Sequence, residues 1–191
     1  GPEQRDPGRD NMVWAAGSFT WAASALRLGS HVGWALDPAR RVMRRYRDQL
    51  RDWWDWKDLM SGPGTRAGGP ACPTPPPGPQ APGWDLSGQP WCNSHYTRQL
   101  IGWAIPLALS GQHWDGPAGR LTLRPADGAP LRLHIFLNGG AGWLDRRHRE
   151  IRCVLGVLRI RHLVVLRPGD DQPIADLSGP WELVPGDVLH Y

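Results

Sequence analysis

A histidine, a tyrosine and an arginine stand together in His95-Tyr96-Thr97-Arg98, after Trp91-Cys92-Asn93-Ser94 and before an apolar run from Gln99 to Ser110 that Gly111 closes. The spacing places all three at the mouth of a helix, where the unpaired N–H groups of the first turn also point outward. Such a grouping suits a hydroxylated ligand. Arg98 can present several donors to sugar hydroxyls, or pair with a carboxylate on a neighbouring helix. His95 can bond a hydroxyl or cap the helix, and Tyr96 packs its ring while leaving one hydroxyl outward. Trp91 and Trp84 offer flat faces either to a sugar ring or to a core.

The other chemistry-bearing residues are dispersed. His134, His148 and His162 fall on or beside strand patterns without ligand spacing, and Cys72, Cys92 and Cys153 lack the spacing of a zinc site. No Ser/His/Asp order, phosphate loop or metal constellation is present, so neither a cofactor nor a metal is expected. Asp170 and Asp171 read as solvated acids of a turn, and Glu182 as isolated. His113-Trp114-Asp115 reads as the turn into a β segment.

The elements that must position the cluster are helical. Trp14, Ala15, Phe19, Ala22, Ala23 and Leu26 recur at helical spacing within 11–28, and Gly29 is the stop. A second helix begins at Asp37-Pro38 as cap and first turn. Its stripe is Val42, Met43, Tyr46, Leu50, Trp53 and Trp54, and it ends between Lys57 and Met60. Arg40, Arg41, Arg44, Arg45, Arg47 and Arg51 lie opposite as a solvated face, with Asp48, Asp52 and Asp55 interspersed. Residues 61–90 are so rich in Gly, Pro and Ala that they read as a disordered insertion and spacer. A third helix spans 94–110, with Pro106 expected to bend it and Gly111 as a left-handed terminator.

Past Gly111 the hydrophobic period becomes two. Strands are expected over 120–125 and 131–137, joined as a hairpin through Asp127-Gly128, and over 150–155 and 157–166 with a bend at Gly156. Pro168-Gly-Asp-Asp is a turn, and short strands follow at 181–184 and 188–191. Helices first and antiparallel strands afterwards make the fold class α+β. The expected organisation is a helical part over 1–111, carrying the insertion at 61–90, and a β tail over 112–191.

Composition bounds the function. The 191 residues are 40% hydrophobic and carry a net charge of +4, mostly arginine, with no nucleic-acid-binding module to use it. Twelve Trp against three Tyr and two Phe is an unusual ratio, suiting both helix packing and sugar stacking. An odd number of dispersed cysteines points to a reducing, cytoplasmic setting, and no apolar run is long enough to span a bilayer. A start at Gly-Pro-Glu-Gln-Arg, with helix following almost at once, reads as a fragment of something longer.

The block His95-Tyr96-Thr97-Arg98, Trp103-Ala104, Leu107-Ala-Leu-Ser-Gly111, then Trp114-Asp115-Gly-Pro-Ala-Gly119-Arg-Leu121 ending at Pro125 resembles the C-terminal end of the helical-barrel β-glucosidases and glucosylceramidases of glycoside-hydrolase family 116 and their large microbial relatives. Ile135-Phe136 and Gly142-Trp143 resemble the β tail of the same proteins. The resemblance implies the last helices of an (α/α) six-hairpin barrel, and a retaining glycosidase whose nucleophile and acid/base carboxylates lie outside this chain. Carried over by motif, Arg98, His95, Tyr96 and Trp91 are candidate substrate-binding residues, with a glycoside and the rest of the parent barrel as partners. The family's acidic residue shortly before this block is missing from Ser87 to Cys92, where Gln89, Asn93 or Asp85 could substitute. That departure leaves room for a non-catalytic carbohydrate-binding or scaffolding protein of the same fold. A third reading is a protein-interaction module using the Pro-rich insertion.

Overall fold

The computed structural model describes residues 12–49, 59–61, 90–91 and 101–191. The chain divides into two compact units, Gly1–Thr20 with Pro38–Ile101, and Trp21–Asp37 with Gly102–Tyr191. Helices and antiparallel sheets are both present, which makes the fold α+β.

In the first unit, β1 (Met12–Trp14), β2 (Leu59–Ser61) and β3 (Pro90–Trp91) form an antiparallel sheet. Helix α1 (Ala15–Arg27) follows β1 directly and continues into the second unit. Of its expected apolar positions, Ala15, Phe19, Ala22, Ala23 and Leu26 are buried, whereas Trp14, expected in the same helix, lies in β1. Helix α2 (Val32–Ala35) is a single turn capped by His31, whose Nδ1 accepts from Gly33 N at 3.1 Å.

Helix α3 (Asp37–Arg44) begins at Asp37-Pro38 and passes into a π-helical turn at Arg45–Gln49. Val42 and Tyr46, four residues apart, are buried, whereas Met43 lies a third of a turn round the helix and is exposed. Arg40, Arg41, Arg44 and Arg47 are exposed, as a solvated face requires. The later part of that stripe, Arg51 and the insertion between Ser61 and Pro90 fall outside the described residues.

The second unit is built on two four-stranded sheets. One has the order β10–β9–β5–β4, with β4 (His113–Asp115), β5 (Arg120–Leu123), β9 (Leu158–Leu166) and β10 (Pro173–Leu183). The other has the order β11–β8–β7–β6, with β6 (Arg132–Leu137), β7 (Gly140–Asp145), β8 (Glu150–Gly156) and β11 (Val188–His190). Every pairing is antiparallel except β5 with β9. Leu121, Leu123, Ile160, Leu163 and Val165 of one sheet and Leu133, Ile135, Leu144 and Ile151 of the other meet in one core, by alternation except on β9, where the register shifts between Ile160 and Leu163.

Two expectations are corrected here. Asp127-Gly128 does form a turn, with Gly128 at φ +73° and Ala129 N donating to Ala126 O at 3.0 Å. It does not close a hairpin, because β5 and β6 belong to different sheets and the chain crosses between them. His113-Trp114-Asp115 is not a turn but β4, paired with β5. The expected bend at Gly156 is present: φ is +66°, the chain changes sheets there, and an added Cβ would lie 2.0 Å from Gly139 O.

Helix α4 (Ala104–Ser110) follows a short 3-10 turn at 101–103 and ends at Gly111 in the left-handed conformation, φ 56°. Pro106 falls in its first turn, where the missing N–H has no helical acceptor to lose, so it need not bend the helix. The carbonyl of Arg124 passes so close to Gly111 that an added Cβ would sit 1.8 Å from it. No helix among the described residues is long and apolar enough to cross a membrane.

Candidate functional site

His95, Tyr96 and Arg98 lie outside the described residues, as do Trp84, Asp85, Gln89 and Asn93. Trp91 ends β3, its backbone paired with Leu59, and its side chain is outside the description. The grouping suited to a hydroxylated ligand among the described residues is a different one. It lies on the outer face of the β11–β8–β7–β6 sheet.

Period-two alternation creates it. When Leu133 and Ile135 of β6 enter the core, Arg132, His134 and Phe136 must face outward. His134 is directly opposite Trp143 of β7, and Trp143 is opposite Arg152 of β8. The His134 ring lies 4.2 Å from Trp143 and, nearly parallel, 5.8 Å from Phe136. Trp103, just before α4, closes the row with its ring edge-on to Phe136 at 6.1 Å. Trp143, His134, Phe136 and Trp103 thus form one continuous aromatic strip, and Trp103 is 63% exposed, an apolar area normally spared from water.

Gln112 fixes the strip against its helix. It follows the Gly111 terminator, and its side-chain amide bonds both backbone groups of Phe136: Oε1 accepts from Phe136 N at 3.0 Å, and Nε2 donates to Phe136 O. The free edge of β6 is therefore paired at this point by a side chain that mimics a strand. Gly142 opposite Ile135 is needed for close approach, since a Cβ there would lie 2.3 Å from Arg152 O.

Charged groups border the strip. Arg152 contacts Glu150 at 3.4 Å, and both face the same side as Trp143. Asp145 holds the neighbouring corner: Oδ2 accepts from Arg132 Nε at 2.9 Å and meets His148 Nδ1 at 3.1 Å. Its Oδ1 accepts from the backbone N–H groups of Arg147 and His148. The Arg132 guanidinium, then the backbone and ring of His148, hold the Asp145 carboxyl far below the usual carboxylate range.

Asp145, His148 and Glu150 bring ligand-type atoms within 4.8 Å of one another, a grouping their linear spacing conceals. Both Asp145 oxygens are already engaged, so the cluster works as a clamp on the β7–β8 turn.

One expectation for acids is corrected: Glu182 is not isolated but paired with Arg159 at 3.0 Å. Asp171 is solvated as expected, and it also pairs with Arg124. An open pocket of about 790 Å³ lies beside that second pair, between the end of α1 and the β9–β10 turn. It offers His113, Thr122 and Asp170 among its hydrogen-bonding groups, and no Trp, Tyr or Phe ring lines it. No protein-family model matches the chain, and comparison with curated proteins gives no match.

Proposed function

We propose that this chain is the sugar-contacting C-terminal part of a retaining β-glucosidase-like glycoside hydrolase, with the catalytic carboxylates supplied elsewhere in the parent protein. On this reading the helical part completes an (α/α) barrel, and the β unit holds carbohydrate on its outer aromatic strip. The observation that carries sugar binding is the strip itself: four rings in one row, bordered by Arg152 and Glu150. The C–H face of a pyranose is apolar and fits a flat indole, while its equatorial hydroxyls need donors and acceptors at the rim. The family resemblance supports the hydrolase part; the described portion of its quoted block, from Trp103 onward, contains a helix closed by a left-handed glycine, a strand at His113–Asp115 and a second at Arg120–Leu123. The non-catalytic alternative has the same strip and differs only in the parent's carboxylates.

Tryptophan-fluorescence titration with cello-oligosaccharides tests the reading. Stacking that removes ~60 Å² of apolar surface from water contributes ~1.5 kcal/mol, about tenfold in affinity. Trp143→Ala and Trp103→Ala should each weaken binding by about that factor while leaving the fold intact. Saturable binding that neither substitution changes, or no binding to any oligosaccharide, would remove the strip from the functional account.

A further inference from the structure

A second pocket in the β unit is unlike the strip in both shape and charge. It encloses about 510 Å³ between the β7–β8 turn and the β9–β10 turn. Its walls are apolar, from Leu131, Leu166, Pro173 and Ile174 among others, and its polar groups are Arg146, Arg149, Arg167 and Tyr191. Among the described residues no carboxylate forms an ion pair with any of these three arginines. Guanidinium groups collected at an apolar pocket with no carboxylate in ion-pair contact leave donors for an external anion.

Two of the arginines are held in place. Arg146 donates from its backbone to Leu131 O at 2.8 Å and from Nη1 to Ala129 O at 2.9 Å. Arg149 sits at φ 55°, the one described non-glycine residue at positive φ, a conformation glycine adopts far more readily. It is kept there by Nη2 donating to Ile174 O at 3.0 Å, by its guanidinium 5.8 Å from the Tyr191 ring centre, and by its carbonyl accepting from Tyr191 N at 2.9 Å. Each guanidinium uses one N–H on the protein and retains others. Burial, and to a lesser degree the Asp145 carboxylate, push the Tyr191 phenol up against the pull of Arg146 and Arg149, so it stays a neutral donor at physiological pH.

We propose that this pocket binds an anionic amphiphile, an organic phosphate or carboxylate whose head group meets Arg146, Arg149, Arg167 and the Tyr191 hydroxyl and whose apolar body lies on Leu131, Leu166 and Ile174. The head group selects by charge and the walls select for an apolar body, so neither half of the ligand suffices alone. This site is separate from the aromatic strip and does not depend on sugar binding there.

Calorimetric titration of the full chain with octyl phosphate, below the concentration at which it forms micelles, tests the site. Octanoate, octanol and inorganic phosphate are run beside it. Saturable sub-millimolar binding of octyl phosphate or octanoate is expected, with octanol and inorganic phosphate at least about tenfold weaker; whichever anion binds tighter identifies the head group. Arg149→Gly relieves the positive φ while removing the guanidinium, so it should fold at least as well as the parent and bind about tenfold more weakly. Arg167→Ala should weaken binding similarly, whereas Trp143→Ala should not. Equal binding of octanol and octyl phosphate, equal binding of inorganic phosphate, unchanged affinity in both arginine variants, or no heat of binding with either anion would each overturn the assignment.

Discussion

The two sheets of the β unit share a core but turn different faces to solvent. On β9 and β10 the outward positions carry solvated polar pairs, the Arg159–Glu182 ion pair and the His162–Asp176 hydrogen bond. On β6 and β7 the corresponding positions carry His134, Phe136 and Trp143. Both sheets bury an apolar face in the same core, so the hydrophobic pattern that builds the fold does not explain the difference. Charge pairs on a solvated sheet face contribute little and cost little to change. An aromatic row there forgoes part of the benefit of burial, and on the proposed reading a bound sugar recovers it.

The comparison rests first on a shared core. Ile135 from one sheet and Ile160 from the other are both fully enclosed. Ile135→Ala and Ile160→Ala should each cost about 2–5 kcal/mol, with a single thermal transition in each variant. Two transitions, one unmoved by the substitution, would mean that the sheets are not one cooperative structure.

Gln112→Ala sharpens the comparison from the helix side. It removes two bonds to Phe136 and leaves that part of the β6 edge open, at a cost of about 1–3 kcal/mol. It should also weaken oligosaccharide binding, because the strip loses its anchor. Stability measured by denaturant titration and affinity by fluorescence should fall together. A stability loss with unchanged affinity would place the anchoring role elsewhere.

A smaller effect, visible through pH, belongs to Asp145. Its folded-state pKa is lowered, so the unfolded chain takes up the proton first as pH falls. The stabilisation is therefore complete above the ordinary carboxylate range near pH 4 and declines on acidification below it. The melting-temperature gap between the parent and Asp145→Asn should be widest near neutrality and narrow between about pH 4 and pH 2. A gap that is constant across that range would show that charge is not what Asp145 contributes.

The smallest effects belong to the other face. Arg159→Ala and Glu182→Ala remove an exposed pair and should change stability by no more than about 0.5 kcal/mol, with sugar affinity unaltered. A loss of affinity comparable to that of Trp143→Ala would erase the distinction between the faces.

Much of the core was legible in the sequence, and the candidate strip was not. The helical period exposes Ala15, Phe19, Ala22, Ala23 and Leu26, and period two exposes Leu121, Leu123, Leu133 and Ile135, because burial imposes those periods. Strand β7 escaped because Gly140-Ala-Gly carries almost no side chain to show alternation, although Asn138-Gly139 just before it is a strong hairpin signal. The Asp127-Gly128 turn misled, since a turn dipeptide specifies local geometry and not which sheet the next strand joins. The strip depends on register: His134 and Trp143 are nine positions apart, and only their cross-strand pairing joins them. The Asp145 clamp joins a strand end, a turn and the next strand, which no linear motif announces. His95, Tyr96 and Arg98 remain a reading of sequence alone.

The parallel pairing of β5 with β9 has a consequence for how the unit assembles. Leu121 pairs beside Leu163, and all of β6, β7 and β8 lies on the chain between them. Those three strands are joined in succession by short turns, so their sheet can grow from neighbours, whereas β5 has no completed partner on that side until the chain has returned as β9. Closing so long a loop costs entropy before any contact repays it. The aromatic sheet should therefore take shape first and the ion-paired sheet should close over it. In refolding experiments Leu144→Ala should slow folding, while Leu177→Ala, on β10 opposite Leu163 and packed against the core, should chiefly speed unfolding; the reverse pattern would invert the order.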